Sequence, residues 1–299
     1  MVEKKNQHFI PKSYLAAWCD ADVPEGFEPW VHLFLREGTG HRRKAPHNIF
    51  AMPDLYTGLG PEGQRDLTIE NAFSTMEGRF VSVRDRLLAG EDLNETDLST
   101  LFIFVGAMMA RVPPSITHMR KFWERVHTIA SEVRISPGSK PIQTLSSGGP
   151  TMSLSDVAET VRNPMGTWFP ESVKGHVNGL SRFFGLTILH NETDIPFVTS
   201  DKPAVMFDAH HQNRTTIFRG GLSDPAMEVS LPASPNMAFI FQHAPRMLLE
   251  YRCADADDVM DINMRTILFA DERFVSNRED ISFVKTITDT IRYKGLPKP

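Results

Sequence analysis

Phe183-Phe184-Gly185-Leu186-Thr187-Ile188-Leu189-His190 is the stretch at which the chain changes its hydrophobic texture. From here on, β-branched and aromatic residues come in short runs bounded by turn residues, the pattern of strands. Phe184 to His190, a turn at Asn191-Glu192-Thr193-Asp194, and Pro196 to Thr199 read as a hairpin. Further strands are expected at about Thr215 to Phe218, Met227 to Leu231, Ala238 to Gln242 and Phe274 to Ser276, with a helix over Asp255 to Leu268. Upstream, the apolar residues recur by threes and fours. Ile69, Phe73, Met76, Phe80, Val83 and Leu87 mark a helix over Leu67 to Leu88 that Gly90 stops. Asn94 begins a second helix, apolar on nearly every side up to Ala110, and His118 to Ile135 gives a third.

A helical first half against an antiparallel second half makes the fold class α+β. We expect one compact domain over residues 1–299, with a helical part over about 1–182 and a strand-rich part over about 183–299. One or two further helices fall between Ser155 and Ser181, where Pro164 and Pro170 break the run. Trp30 to Arg36 reads as a strand that could pair with a short one near Asp54 to Thr57. Residues 136–150 are rich in Ser, Gly and Pro and would suit a mobile lid.

The 299 residues are 41% hydrophobic and 23% charged, an ordinary composition for a chain that buries a large core. A net charge of −5 argues against a dominant, sequence-independent grip on nucleic acid. The densest basic run, His41-Arg42-Arg43-Lys44, reads first as a solvated turn. Two cysteines, Cys19 and Cys253, offer neither a thiolate zinc cage nor a disulfide framework. With no apolar leader and no membrane-length apolar run, a cytoplasmic protein without membrane contact is expected.

Five residues stand out as carriers of chemistry. His8 precedes Pro11 at the start of a short helix whose apolar stripe is Tyr14, Leu15 and Trp18, so a titratable ring sits on rigid backbone. Glu70 and Glu77, seven apart on one helix, differ by only about 20° in direction and share a face. An ordinary solvated face, with Glu77 paired to a cation such as Arg84, is the plainer reading of that pair. Asp201 follows a strand and precedes Pro203, where a carboxylate can serve chemistry or accept turn N–H groups. Arg111 ends the apolar helix and is either a clamp for an anion or a cap for the helix carbonyls. Ser200 lacks the setting of a nucleophile, and His210-His211 reads as loop. Nucleotide-binding signatures are absent from the sequence.

Gln7-His8-Phe9-Ile10-Pro11-Lys12-Ser13-Tyr14-Leu15, Pro53-Asp54-Leu55-Tyr56, Ile69-Glu70, Glu77, Arg111-Val112-Pro113, Thr199-Ser200-Asp201-Lys202-Pro203 and Leu231-Pro232-Ala233-Ser234-Pro235, taken in order, resemble the DUF4238 family of bacterial and fungal proteins. The family opens approximately His-His-Tyr-hydrophobic-Pro-x-x-Tyr-Leu and later reads approximately Thr-Ser-Asp-Asn-Pro. Here Gln7 replaces the first His and Lys202 the Asn, while His8, Pro11, Tyr14, Leu15, Ser200, Asp201 and Pro203 match. The resemblance spans about residues 7 to 275 and brings no activity with it, so chemistry must come from the side chains.

One imidazole and three carboxylates, His8, Glu70, Glu77 and Asp201, form a ligand set for a divalent metal, Mg²⁺ or Mn²⁺ first and iron second. With Arg111 as clamp, the leading function is a metal-assisted hydrolase, with cleavage of phosphodiesters, nucleotides or nucleic-acid ends as its subclass. The partner would be an anionic small molecule or a nucleic-acid end. The alternatives are an iron-dependent oxygenase-type enzyme and a non-catalytic ligand-binding or interaction protein.

Overall fold

The period of threes and fours becomes the Thr68–Leu88 helix, which buries Phe73, Phe80, Val83 and Leu87 on its inner side. A computed structural model describes residues 6–132, 152–208 and 221–287. The Glu95–Ala110 helix starts with a reciprocal cap: the Asn94 side chain accepts the Asp97 N–H and the Asp97 carboxylate accepts the Asn94 N–H. This helix is buried almost all round. A Cβ on Gly106 would lie 2.7 Å from Val177 Cγ2, so the glycine is what allows the Trp168–Phe183 helix to approach so closely. The third helix, Pro113–Glu132, begins earlier than its apolar pattern suggests, because a proline in the first turn gives up no intrahelical bond. No single helix among the described residues is long and apolar enough to cross a membrane.

Five strands form the larger sheet, in the order Leu249–Ala254, Phe184–Asn191, Met237–His243, Met227–Ser234 and Val205–Asp208. All neighbours are antiparallel except the first pair, which is parallel. Alternation divides its two faces. Phe184, Leu186, Ile188, Val229, Leu231, Phe239 and Phe241 join the helical core, where Phe80 meets Phe239 and Phe102 meets Phe241 edge-on. Leu189 and Ala238 turn the other way, into a cluster with Val259 and Ile262 of the Ala256–Phe269 helix. That helix also sends Ile267 into a cluster with Phe34 and Phe274 of a second sheet. The second sheet has four antiparallel strands, in the order Arg42–Lys44, Val31–Leu35, Arg273–Ser276 and Thr199–Ser200.

The fold is α+β, but helices and strands do not divide at residue 183. The Ala256–Phe269 helix lies in the second half, and Val31–Leu35 of the first half pairs with Arg273–Ser276. The expected hairpin of Phe184–His190 with Pro196–Thr199 does not form. Pro196 has no N–H for a ladder, and Asn191 Nδ2 donates to Ile195 O and Pro235 O, which turns the chain away. The segment crosses to the other sheet, where Thr199–Ser200 pairs with Arg273–Ser276. Residues 54–57 likewise are not a strand: Asp54 sits at φ 52° in a turn, and the true partners of Val31–Leu35 are Arg42–Lys44 and Arg273–Ser276. The strands Val205–Asp208 and Leu249–Ala254 were not anticipated. The expected lid at 136–150 and the strand at 215–218 lie outside the described residues.

Asn263, fully buried, holds the crossing segment: its Oδ1 accepts from Val198 N and its Nδ2 donates to Pro196 O. Asn263→Ala should therefore strand two buried backbone groups and cost on the order of 3 kcal/mol, read as a lower denaturant midpoint at unchanged slope.

Candidate functional site

Arg111 caps the end of the buried Glu95–Ala110 helix, and its side chain is only 1% exposed. Nη1 donates to Glu77 Oε1 at 2.8 Å and Nη2 donates to the His8 carbonyl at 2.5 Å. The guanidinium lies 4.2 Å from the Phe73 ring centre and 5.5 Å from that of Tyr56, so its remaining surface faces aromatic rings. Tyr56 closes the knot by donating from its hydroxyl to the Arg111 carbonyl at 2.6 Å. Burial pushes the Tyr56 phenol up to about 12, with Arg111 pulling it down and the charges of Glu70 and Glu77 adding to the rise. The charges of both carboxylates thus act on one buried ring, in keeping with their shared face of the helix.

His8 belongs to the strand Asn6–His8, paired with Ala51–Pro53. It does not stand free before the helix, because the Phe50 carbonyl, at a left-handed residue of φ 55°, takes the N–H groups of both Phe9 and Ile10 and fixes the exit of that strand. His8 Nε2 lies 3.2 Å from the His47 carbonyl. A carbonyl can only accept, so Nε2 carries the proton in this contact. Burial lowers the His8 pKa from 6.5; the bond to the His47 carbonyl opposes this, Lys12 and Arg111 lower it further, and Glu77 also raises it. The ring is neutral at pH 7, and Nδ1 keeps its lone pair.

His8, Glu77 and Arg111 therefore share one neighbourhood, which Glu70 reaches through its charge on Tyr56. The ligand atoms of His8, Glu70, Glu77 and Asp201 are not drawn together as those of His32, His41 and Glu279 are among the described residues, and two of the expected roles change. Arg111 is not placed to clamp a solute: its fork is spent on Glu77 and His8 and it has almost no surface. Asp201 has a backbone task, with Oδ1 accepting from Asp271 N and Oδ2 from Glu272 N and Arg273 N, all within 2.8 to 2.9 Å. Those three bonds fasten the end of the Ala256–Phe269 helix to the strand that follows, and they occupy the oxygens that a metal would need. Burial pushes the Asp201 carboxyl up while the three N–H groups pull it down. Arg84, named above as a partner for Glu77, instead bonds Asp85 and reaches the Ser13 and Tyr14 carbonyls. Ser200 Oγ accepts the Lys202 N–H, a turn bond and no preparation for attack.

Gln7 was absent from the expected set. It is fully buried, its Oε1 accepts the Tyr56 N–H at 2.5 Å and its Nε2 donates to Thr57 Oγ1. The side chain ties the His8 strand to Tyr56, a role an amide fills because it offers donor and acceptor together. Also unforeseen is a chain of polar groups through the four-stranded sheet: Asp20 Oδ2 to His32 Nε2 at 2.8 Å, His32 Nδ1 to His41 Nε2 at 2.9 Å, and His41 Nδ1 to Glu279 Oε1 at 3.6 Å. Its one legible signal was His32, a lone imidazole in the apolar run Val31 to Leu35. His210-His211 lies outside the described residues.

These elements define an α+β protein whose candidate site is knotted around one buried arginine. The chain belongs to the family described as "Protein of unknown function (DUF4238)", which it matches over residues 6–280. No curated protein and no solved structure matches it.

Arg111→Lys keeps the charge but cannot reach Glu77 and the His8 carbonyl together. It should lower stability by about 3 kcal/mol in chemical denaturation, the effect of a broken buried pair. His8 should titrate, by ring-proton NMR, with a midpoint below 6.5. Because its folded value is lowered, its contribution to stability is present above pH 6.5 and is lost as pH falls through the lowered value.

Proposed function

We propose that this protein is a hydrolase that activates water with a divalent cation, Mg²⁺ or Mn²⁺, held by His8, Glu70 and Glu77, and that it cleaves a small phosphodiester or a nucleic-acid end. One observation carries the reading: His8 gives its Nε2 proton to the His47 carbonyl, which leaves an unprotonated Nδ1 under the influence of the Glu77 carboxylate. Two carboxylates and one imidazole suit a hard, oxygen-preferring cation, and such a cation lowers the pKa of bound water. Glu77 spends Oε1 on Arg111, which leaves the other oxygen to turn toward the ion. Arg111 is a positioning residue in this scheme, and the cation facing an anionic substrate is Lys12, exposed and near enough to lower the His8 pKa.

The test is turnover of bis(p-nitrophenyl) phosphate by chelator-treated protein resupplied with Mn²⁺. His8→Ala and Glu70→Gln should each lower kcat by about 100-fold or more while the thermal midpoint holds, the usual scale for losing a positioned base or ligand. Lys12→Gln should raise KM with kcat nearly kept. Turnover that ignores the cation, or that survives both substitutions, overturns the proposal.

A further inference from the structure

We infer that His32, His41 and Glu279 form a separate binding site for a zinc-class divalent transition metal, with Asp20 as the group that orients it. Among the described residues, one ligand atom from each of the three lies within 4.8 Å of the others. A tetrahedral ion with bonds of about 2.0 to 2.1 Å spaces its ligands by roughly 3.3 Å, so the three atoms need shifts on the ångström scale or less. His41 meets His32 through Nε2 at 2.9 Å and Glu279 through Nδ1 at 3.6 Å, so an ion shared by all three requires the His41 ring or the exposed Glu279 carboxylate to turn until one His41 nitrogen serves it.

The surroundings favour a metal over a simple hydrogen-bonded chain. His32 is 1% exposed and set in a strand, so its ring cannot wander, and the His41 ring lies nearly parallel to it, at 10° with centroids 5.1 Å apart, so that their nitrogens meet edge to edge. Asp20 accepts from His32 Nε2, which forces the proton to that side and turns the Nδ1 lone pair toward His41. A carboxylate behind a ligating imidazole is the usual buttress of metal-bound histidines. Asp20 itself is held by the Asp22 N–H. On the far side Arg43 Nη2 bonds Glu279 Oε2 at 3.0 Å and directs Oε1 at His41. Two imidazoles and one carboxylate are borderline ligands that prefer zinc to magnesium, unlike the oxygen-rich set around His8. Three protein ligands leave the fourth position to water at the surface, where Glu279 is 61% exposed.

The ion would fasten three separate stretches: the Val31–Leu35 strand, the turn before Arg42–Lys44, and the segment that leaves Arg273–Ser276. The full-length, chelator-treated protein is titrated with Zn²⁺ by calorimetry and by thermal melting. Wild type should bind one Zn²⁺ at this site and melt several degrees higher with it. His41→Ala and Glu279→Gln, whose side chains are 28% and 61% exposed, should lose at least 100-fold in affinity and the added thermal midpoint while the metal-free protein keeps its own midpoint. Asp20→Asn should lose 10- to 100-fold. His8→Ala should leave Zn²⁺ binding here unchanged, which separates this site from the proposed hydrolytic one. No Zn²⁺ binding below 10 µM, or binding that His41→Ala leaves intact, overturns the inference.

Discussion

A guanidinium out of water is the constraint on which this molecule is built. Taking Arg111 into the interior costs several kcal/mol of hydration, and the protein must return that with fixed partners. It does so with Glu77 from the Thr68–Leu88 helix, the His8 carbonyl from the first strand, and the faces of Phe73 and Tyr56. Among the described residues Arg111 Nε has no hydrogen-bond partner, so the aromatic rings cover what hydrogen bonds do not. Because a charge in low dielectric tolerates little displacement, the helix end, the strand and the neighbouring helix are registered to one another through this one group. His8 inherits its position from that registration.

The acidic residues of the chain divide by whether backbone N–H groups reach them first. Asp97, Asp156 and Asp258 close capping boxes, and Asp201 takes three N–H groups at a helix-to-strand corner. A carboxylate saturated in this way stabilises the fold and has little left for a ligand. Glu77 differs in that its bond is to a side chain, through one oxygen to Arg111, which is why the proposed chemistry falls to it. Asp20 and Glu279 differ again, since each faces an imidazole, Asp20 alongside the Asp22 N–H and Glu279 alongside the Arg43 guanidinium.

The two candidate centres follow from different physics. Around His8 the proposed donors are mostly oxygen, a set that would suit a hard cation and a charged substrate. Around His32 the donors cross a small sheet, and two of the three are nitrogen. A strand holds His32 more rigidly than a loop would, which gives a preorganised ligand, whereas exposed Glu279 can move to complete the set.

Much of the local structure was readable from residue order. The periodic apolar residues fix the Thr68–Leu88 and Glu95–Ala110 helices, Asn94 starts the latter, and the runs at Met227 and Met237 form their strands, because propensity, capping and alternation act within a few residues. The shared face of Glu70 and Glu77 was legible for the same reason, as it depends only on helix pitch. Partners were not. Pro196 argues locally against a hairpin with Phe184–Asn191, but backbone groups pair without regard to side-chain identity, so nothing near it names Arg273–Ser276 as the partner, and nothing in Leu249–Ala254 announces a parallel edge. Whether Arg111 met solvent or Glu77, whether Asp201 met a ligand or three N–H groups, and whether His32, His41 and Glu279 came together were decided by packing between residues far apart in sequence. Only the tertiary structure sets how much water each of those groups keeps, and with it their chemistry.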